Sequence, residues 1–586
     1  MRLARLALTF VVPVAVMAIA STCRDSATGP PSRSVSPGLV GQDTTPRVTL
    51  AHACGTTFAA RNADTTAVVA TWTVDSARVG DSTIVSTGTV VLPPRTEERA
   101  RSETFITVPA HGMVRLRAGG VVVDSAAPED RPCATRALRG RWTTPTPWPI
   151  VAVHLHLLPD GRLLAFGKYG QPQIWNPAAA TFTPVPSTSN LFCGGHTLLP
   201  DGRIFVAGGH IDDNKGLPDA NVFDPATGTW TRLPDMQRGR WYPTATALPN
   251  GEVLVVAGND QTGGNAAMPE IWSPSTGTWR KLTGAVMKLP YYPRLFVAPN
   301  GKVFYAGEQS YVRWLDWTGS GRWSAYGSTA DGAREYGSSV MYDDGKIISM
   351  GGHGRYVGQV PKRSAEVIDL NKTSYRWRLT SPMFHARRQL NATLLPNGRV
   401  FVSGGTNATG FDNPAGAVYA AEEWDPVTES WTLLASNSVP RLYHSVTILL
   451  PDGRVLSAGG GDANATTTSY RDANYFEPAY LFKPTGEPAD RPTISAAPAV
   501  VGYGQTFRVR TPDRAAIRQV RWIRLGSVTH AFDESQRGNT LHFAPAADGV
   551  NVSAPANANL APPGHYLLFV MDQNGVPSVG AVVRVR

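Results

Sequence analysis

The sequence predicts an all-β protein, and three observations carry that reading. Of its 586 residues, 42% are hydrophobic and only 17% charged, which is material for several cores and few long solvated helices. Its 57 glycines and 47 prolines are spread along the chain instead of gathered in one tract, as many short strands joined by turns require. The third observation is a repeat: a turn, an apolar strand and small glycine-rich residues. It occurs at "DGRLLAFG" from Asp160, "DGRIFVAGGH" from Asp201, "NGEVLVVAGND" from Asn250 and "NGKVFYAGE" from Asn300. It returns at "DGKIISMGGH" from Asp344, "NGRVFVSGGT" from Asn397 and "DGRVLSAGGG" from Asp452. Between several copies lies a second pattern that ends on tryptophan: "NVFDPATGTWTRL", "EIWSPSTGTWRKL" and "EEWDPVTESWTLL". A period near 50 with paired glycines and a spaced aromatic predicts a kelch-type β-propeller, one four-stranded blade per repeat, seven blades over residues 139–487. The Asp-Gly and Asn-Gly pairs supply the positive backbone angles of tight hairpins. Trp230, Trp279 and Trp431 are read as blade packing.

The flanks follow in order. Arg2 and Arg5 precede "LALTFVVPVAVMAIA", an apolar stretch too short to span a membrane, so residues 1–22 read as a secretory signal. The stretch runs into "ASTC", which puts Cys23 where a bacterial lipoprotein is acylated, although Thr22 is an unusual residue before such a site. A membrane tether through a lipid on Cys23 is therefore one expectation, with a secreted, cell-surface or periplasmic location. Residues 23–48 are rich in Ser, Thr, Pro and Gly and read as a linker. Cys54 and Cys133 bracket alternating strands such as "TAVVATWTV", and a disulfide between them is expected to close a small β-sandwich over 49–138. Beyond 488 the repeat stops, and strands such as "QVRWIRLGSVTHAFD" predict an immunoglobulin-like sandwich over 488–586. The formal charge of +10 includes no run of five basic residues, so nucleic acid is not an expected partner.

A propeller does not specify an activity, so the polar residues that depart from the repeat matter most. "NLFCGGHTLLPDGR" places Cys193 just before a repeat strand, "QRGRWYPTATALPNGE" places Tyr242 there one repeat later, and "VPRLYHSVTILLPDGR" places Tyr443 and His444 there in the last. Gly202 follows Cys193 by nine residues, Gly251 follows Tyr242 by nine and Gly453 follows Tyr443 by ten, so the three positions share one level around the axis. Tyr443 and His444 are neighbours and can face one centre only where a strand is irregular or just beginning. Imidazole and phenolate donors in a tetragonal set suit copper(II), and a second imidazole is needed.

Taken together, "FCGG", "RGRWYPTAT", "RLYHSVTILLPDGRVLSAGGG", "GSVTHAFD" and "HYLLFVMDQNGVPSV" resemble the copper radical oxidases of the galactose oxidase and glyoxal oxidase type, over about residues 140–586. The resemblance implies that Tyr242 is the equatorial tyrosine, joined by a thioether to Cys193, and that Tyr443 is the axial one. It implies that His444 and His530 are the imidazole ligands of one copper ion, His530 being carried into the channel by a hairpin of the C-terminal sandwich. The implied reaction oxidises a primary alcohol or hydrated aldehyde, a carbohydrate among the candidates, with O2 to give aldehyde or acid and H2O2. In it Tyr443 takes the hydroxyl proton and a radical on Tyr242, stabilised by the thioether, takes the hydrogen atom.

The chain departs from that pattern in places. Where galactose oxidase stacks a tryptophan over the thioether, "VVAGND" offers Asn259 or Asp260, and "RWYPT" is closer to the glyoxal oxidase branch. Arg334, Glu335 and Arg388 are candidates for the mouth, the two arginines for substrate binding. His154 and His156 in "VAVHLHLLPDG" are read as packing or backbone hydrogen bonding, and His196, His210 and His353 as neighbours of the rim. The competing function is a non-catalytic propeller that binds a glycan or protein at the cell surface. Hydrolysis is disfavoured because no acidic pair recurs near the channel entrance.

Overall fold

Seven antiparallel sheets follow one another along the chain, one per repeat. Their innermost strands are β1 (His154–Leu157), β2 (Gly195–Leu198), β3 (Thr244–Ala247), β4 (Leu295–Val297), β5 (Ser338–Asp343), β6 (Arg388–Leu394) and β7 (Ser445–Leu449). β2 packs on β3, β3 on β4, β5 on β6, β6 on β7, and β7 back on β1, which closes the ring of a seven-bladed propeller. A second closure lies at the outer edge, where Asp472–Glu477 of the seventh blade pairs with Arg141–Trp142 and Thr146–Pro147 from the start of the propeller. This computed structural model describes residues 46–586 apart from 76–83, 95–102, 110–111, 128–131, 355–357 and 463–467. The expected signal segment, the linker up to residue 45 and Cys23 lie outside the described residues. Among the described residues one α-helix, Thr135–Arg139, interrupts the strands, and no helix is long and apolar enough to cross a membrane.

The repeat residues explain the blades. The turn glycines Gly161, Gly202, Gly251, Gly301, Gly345, Gly398 and Gly453 all have φ between 63° and 97°, which only glycine adopts without a steric cost. The Asp or Asn before each of several of these glycines accepts the backbone N–H two residues on, as in Asp201 Oδ1 from Arg203 at 3.1 Å and Asn300 Oδ1 from Lys302 at 3.0 Å. The outer-strand tryptophans clip neighbouring blades together. Trp230 Nε1 donates to Val185 O (2.9 Å), Trp279 Nε1 to Pro234 O (2.8 Å) and Trp431 Nε1 to Ser381 O (2.7 Å). Four buried arginines repeat as well, each reaching a carboxylate on the third strand of its own blade. The pairs are Arg240 with Glu270 (2.9 Å), Arg334 with Glu366 (2.6 Å), Arg387 with Glu422 (2.5 Å) and Arg441 with Asp472 (2.6 Å).

On one flank, Val48–Cys54, Thr57–Asn62 and Thr104–Thr107 form a three-stranded sheet that shares a core of Phe58, Val74 and Leu116 with a four-stranded one. Cys54 and Cys133 are joined in a disulfide. After the propeller in sequence, a five-stranded and a three-stranded sheet enclose Trp522, Phe507 and Tyr566, and Asn574 of this pair accepts from Phe105 N of the first (3.0 Å). From this second pair of sheets one strand leaves and enters the ring. It is β8 (Ser527–Thr529), which pairs antiparallel with β1 so that Thr529 faces His154. The residues after it bond to several blades: Glu534 accepts from His196 N (3.2 Å) and Ala245 N (2.6 Å), Ser535 Oγ meets Thr197 Oγ1 (2.9 Å), and Arg537 donates to Val297 O (2.8 Å). The axis is thereby filled, and the tip of the hairpin, His530, is held at one level of the propeller.

Candidate active site

In six successive blades, one residue at or just before the start of the innermost strand has left-handed backbone. These are Cys193 (φ 64°), Tyr242 (67°), Tyr292 (44°), Tyr336 (54°), Gln389 (58°) and His444 (65°). None is glycine, and each such conformation costs about 1–3 kcal/mol, so the surrounding fold must enforce it. His530 and Ala531 at the hairpin tip share the conformation, at 47° and 70°. The geometry answers how adjacent Tyr443 and His444 face one centre, since His444 takes the left-handed turn and β7 starts only at Ser445.

The four candidate ligands converge. The Tyr242 and Tyr443 hydroxyls are in hydrogen-bond contact, and the ring centroids of His530 lie 4.5 Å from Tyr242, 5.4 Å from Tyr443 and 4.7 Å from His444. Hydrogen bonds fix both imidazole tautomers. His444 Nδ1 is 2.6 Å from Gly461 O, a carbonyl that only accepts, so Nδ1 carries the proton. Thr529 Oγ1 donates to Val153 O (3.0 Å) and lies 2.6 Å from His530 Nδ1, so it accepts from that nitrogen. In both rings Nε2 is left with a lone pair, and both Nε2 atoms are buried without a hydrogen-bond partner.

Burial governs the charge states. It pushes the Tyr242 phenol well above its ordinary 10.0, with Cys193 and Tyr443 adding, and Tyr443 likewise, with Tyr336 adding. Burial lowers His444 to about 3 and His530 well below 6.5. The cluster is therefore neutral, with two protonated phenols and two neutral imidazoles, and the phenols ionise only if a cation compensates them. No group of three His, Cys, Asp or Glu side chains among the described residues is placed to hold a metal; the donor set here is two imidazoles and two phenols. Cys193, whose thiol burial raises well above 9.0, packs with Trp241 and Tyr242 in one buried cluster.

Several neighbours were not legible in the sequence. The ring of Trp241 stacks on that of Tyr242 at 3.8 Å and 7°, so a tryptophan does cover this tyrosine, supplied by the preceding residue. This corrects the expectation for Asn259 and Asp260: Asn259 Nδ2 donates to Tyr291 (2.9 Å), and Asp260 is bound by Arg238 (2.6 Å). Tyr292 packs on Tyr242 at 4.8 Å and on His530 at 4.7 Å, and its hydroxyl donates to Gly194 O. Arg334 is not at the mouth. It is 2% exposed and engaged by Glu366, Gly351 O and Ser364 O, and the shared spacing of Arg240 to Glu270 and Arg334 to Glu366 was the signal that marks it as a blade brace. Arg388 lies 6.0 Å from the ring of Phe411, which touches Tyr443 at 4.6 Å. His210 accepts from Trp241 Nε1 (3.2 Å), and His353 lies against Tyr336. A cavity of about 440 Å³ opens over the cluster, lined by Tyr242, Tyr291, Tyr336, His530, Glu308 and Glu335.

Residues 172–480 match the family described as glyoxal oxidase N-terminus, and residues 491–585 match the galactose oxidase-like early set domain. The chain is 29% identical to a galactose oxidase of Gibberella zeae over 493 residues, covering 76% of this chain and 70% of the relative. It is 28% identical to an aldehyde oxidase of Vitis pseudoreticulata over 487 residues, covering 74% of this chain and 89% of the relative. Among solved structures it is similar to a fungal alcohol oxidase in complex with copper, with a TM-score of 0.70 and 27% identity over 76% of this chain and 99% of that one. The first of these matches alone spans more than half of the sequence, and the chain belongs to the galactose oxidase and glyoxal oxidase family, the copper radical oxidases.

Proposed function

We propose that the protein is an exported copper radical oxidase that converts a primary alcohol or hydrated aldehyde, with O2, to an aldehyde or acid and H2O2. The observation that carries this reading is the pair of bare, buried Nε2 atoms beside two touching phenols, a donor set that fits a single cupric ion. Tyr242, Tyr443, His444 and His530 would hold it. Its double positive charge balances two phenolates in a buried site that disfavours net charge. Copper, when bound, supplies one of the two oxidising equivalents of the reaction, and a radical on Tyr242 linked to Cys193 supplies the other. Tyr443, whose phenol is hard to ionise by itself, is the proton acceptor for the substrate hydroxyl. Tyr242 accepts the hydrogen atom from carbon, under the stacked ring of Trp241. Substrate enters from the aromatic cavity, and Arg388, as buried as Arg334 but set 6.0 Å from the Phe411 ring that touches Tyr443, is the candidate for holding a substrate oxygen.

Export is proposed from residues 1–22, and the Cys54–Cys133 disulfide is in keeping with an oxidising compartment. The division at 49–138, 139–487 and 488–586 is likewise proposed as the domain plan. Peptide mapping after copper loading in air tests the centre. The peptides that contain Cys193 and Tyr242 are expected as one joined species, whereas an alkylatable Cys193 under those conditions favours a binding propeller. Peroxide release from methylglyoxal, glyoxal, glycolaldehyde, glycerol and galactose then identifies the substrate class.

A further inference from the structure

Behind the cluster lies a buried chain of hydrogen bonds that the proposed reaction does not use. The backbone N–H of Cys193 donates to His154 Nε2 at 3.1 Å. A backbone amide can only donate, so Nε2 of His154 is an acceptor and its proton resides on Nδ1. That nitrogen lies 2.9 Å from His196 Nε2, which must accept, and this places the His196 proton on its own Nδ1. His196 Nδ1 is 2.7 Å from Ser527 Oγ, whose hydroxyl in turn donates to His196 O at 2.7 Å. Every proton in the chain is thus assigned, and all three side chains are fully buried. The ring of His154 is further clamped by Phe166, stacked at 4.5 Å and 9°.

The other end of Cys193 is also held, because its carbonyl accepts from Tyr242 N at 2.9 Å. A residue in left-handed backbone (φ 64°) is therefore fixed through both of its peptide groups, in the same buried cluster as Tyr242. His154 is in addition the register partner of Thr529, next to His530, so one strand residue ties the cysteine turn to the hairpin tip.

We infer that His154 is a positioning residue for thioether formation: by accepting the Cys193 amide in a tautomer dictated by His196 and Ser527, it aims the sulfur at the Tyr242 ring. The inference rests on the reading of the site given above. In the step concerned, the S–H bond of Cys193 and one ring C–H bond of Tyr242 break and a C–S bond forms. Two protons and two electrons leave, and dioxygen takes them up as H2O2 in the presence of copper. Such ring closures depend steeply on geometry, a misplacement of about 1 Å being enough to cost roughly 10²-fold.

The test follows the rate at which reduced full-length protein, given copper(II) in air, loses alkylatable Cys193 and gains the joined peptide two hydrogen masses lighter. His154→Phe keeps the stacked ring shape but removes the acceptor, and closure is expected to slow at least about ten-fold. His154→Gln restores an acceptor and is expected to recover most of the rate. His156→Phe is the control for burial and for contacts at the far end of the hydrogen-bond chain: that ring packs on His196 at 4.3 Å and meets Ser527 Oγ at 3.4 Å but makes no bond to Cys193, and closure within about two-fold of wild type is expected. Should His154→Phe not fold, His196→Leu removes the acceptor that fixes the tautomer and is expected to slow closure at least about three-fold. Wild-type closure in a folded His154→Phe or His196→Leu protein overturns the inference, as does equal slowing in His156→Phe. Absence of closure in the wild-type chain overturns the thioether reading itself.

Discussion

The two ends of the innermost strands obey different rules. At the end that follows each strand, a hairpin turn with φ between 63° and 97° is occupied by glycine in all seven blades. At the end that precedes it, the same region of backbone space is occupied by Cys193, Tyr242, Tyr292, Tyr336, Gln389 and His444. The first end meets a steric demand with the residue that satisfies it most cheaply. The second keeps a conformation unfavourable to its side chains because that turn points them at the axis. At this level of the propeller, regularity marks the scaffold and strain without glycine marks the chemistry, although turns elsewhere, such as those at Ala180 and Glu429, also hold left-handed residues.

The largest expected effect comes from the strained end. His530→Ala removes one bare Nε2, and copper affinity measured by calorimetry should fall by more than the roughly 10–100-fold typical of an outer-shell partner, with oxidase turnover lost. Next, Cys193→Ser keeps the turn but abolishes the joined peptide. Turnover should drop by about 10²–10⁴-fold, the scale of a group acting in the chemical step, while copper still binds.

Stability changes follow in size. Arg334→Leu leaves Glu366 buried without its cation, which should cost about 3–5 kcal/mol in urea unfolding. KM measured on the folded fraction should not change, because this arginine braces a blade. Glu308 contributes a pH signature at the chemical end, where burial pushes its carboxyl from 4.5 to about 7. A raised folded-state value means that its contribution is fully present below pH 4.5 and is lost as pH rises through 7. Wild-type stability should accordingly fall between pH 5 and 8 by an amount on the order of 3 kcal/mol from this group, a slope absent in Glu308→Gln.

The smallest effects test the comparison most directly. Gly202→Ala, at φ 97° with His565 and Pro159 about the new Cβ, should lower stability by about 1–2 kcal/mol. Gln389→Gly should do the opposite. It relaxes φ 58° and deletes a buried amide whose Oε1 and Nε2 have no hydrogen-bond partner, so stability should rise by about 1 kcal/mol and the melting temperature by about 1 °C. A fall instead would mean that the blade does not bear strain at these positions.

Much of the molecule can be read from local residue order. The Asp-Gly and Asn-Gly turns announce seven blades because the backbone angle they need is a property of the residue itself. Trp230, Trp279 and Trp431 read as packing because each follows the same short turn, six residues after Asp224, Ser273 and Asp425. Arg334 reads differently alone than in series: beside Arg240, Arg387 and Arg441, each with a carboxylate some thirty residues on, it belongs to the repeat. Trp241 escaped notice because adjacent residues on a strand face opposite sides, whereas the left-handed turn at Tyr242 stacks the two rings.

The sequence by itself determined the all-β class, the sevenfold repeat and the level at which Cys193, Tyr242, Tyr443 and His444 depart from it, because each depends on neighbours close along the chain. Only the tertiary structure decided which nitrogens are bare, which way each buried imidazole carries its proton, and that His154 holds the cysteine turn. Those properties arise between groups hundreds of residues apart, such as Thr529 and Val153 or Ser527 and His196. A buried donor or acceptor takes whichever partner the fold brings to it, and local sequence cannot state that partner in advance.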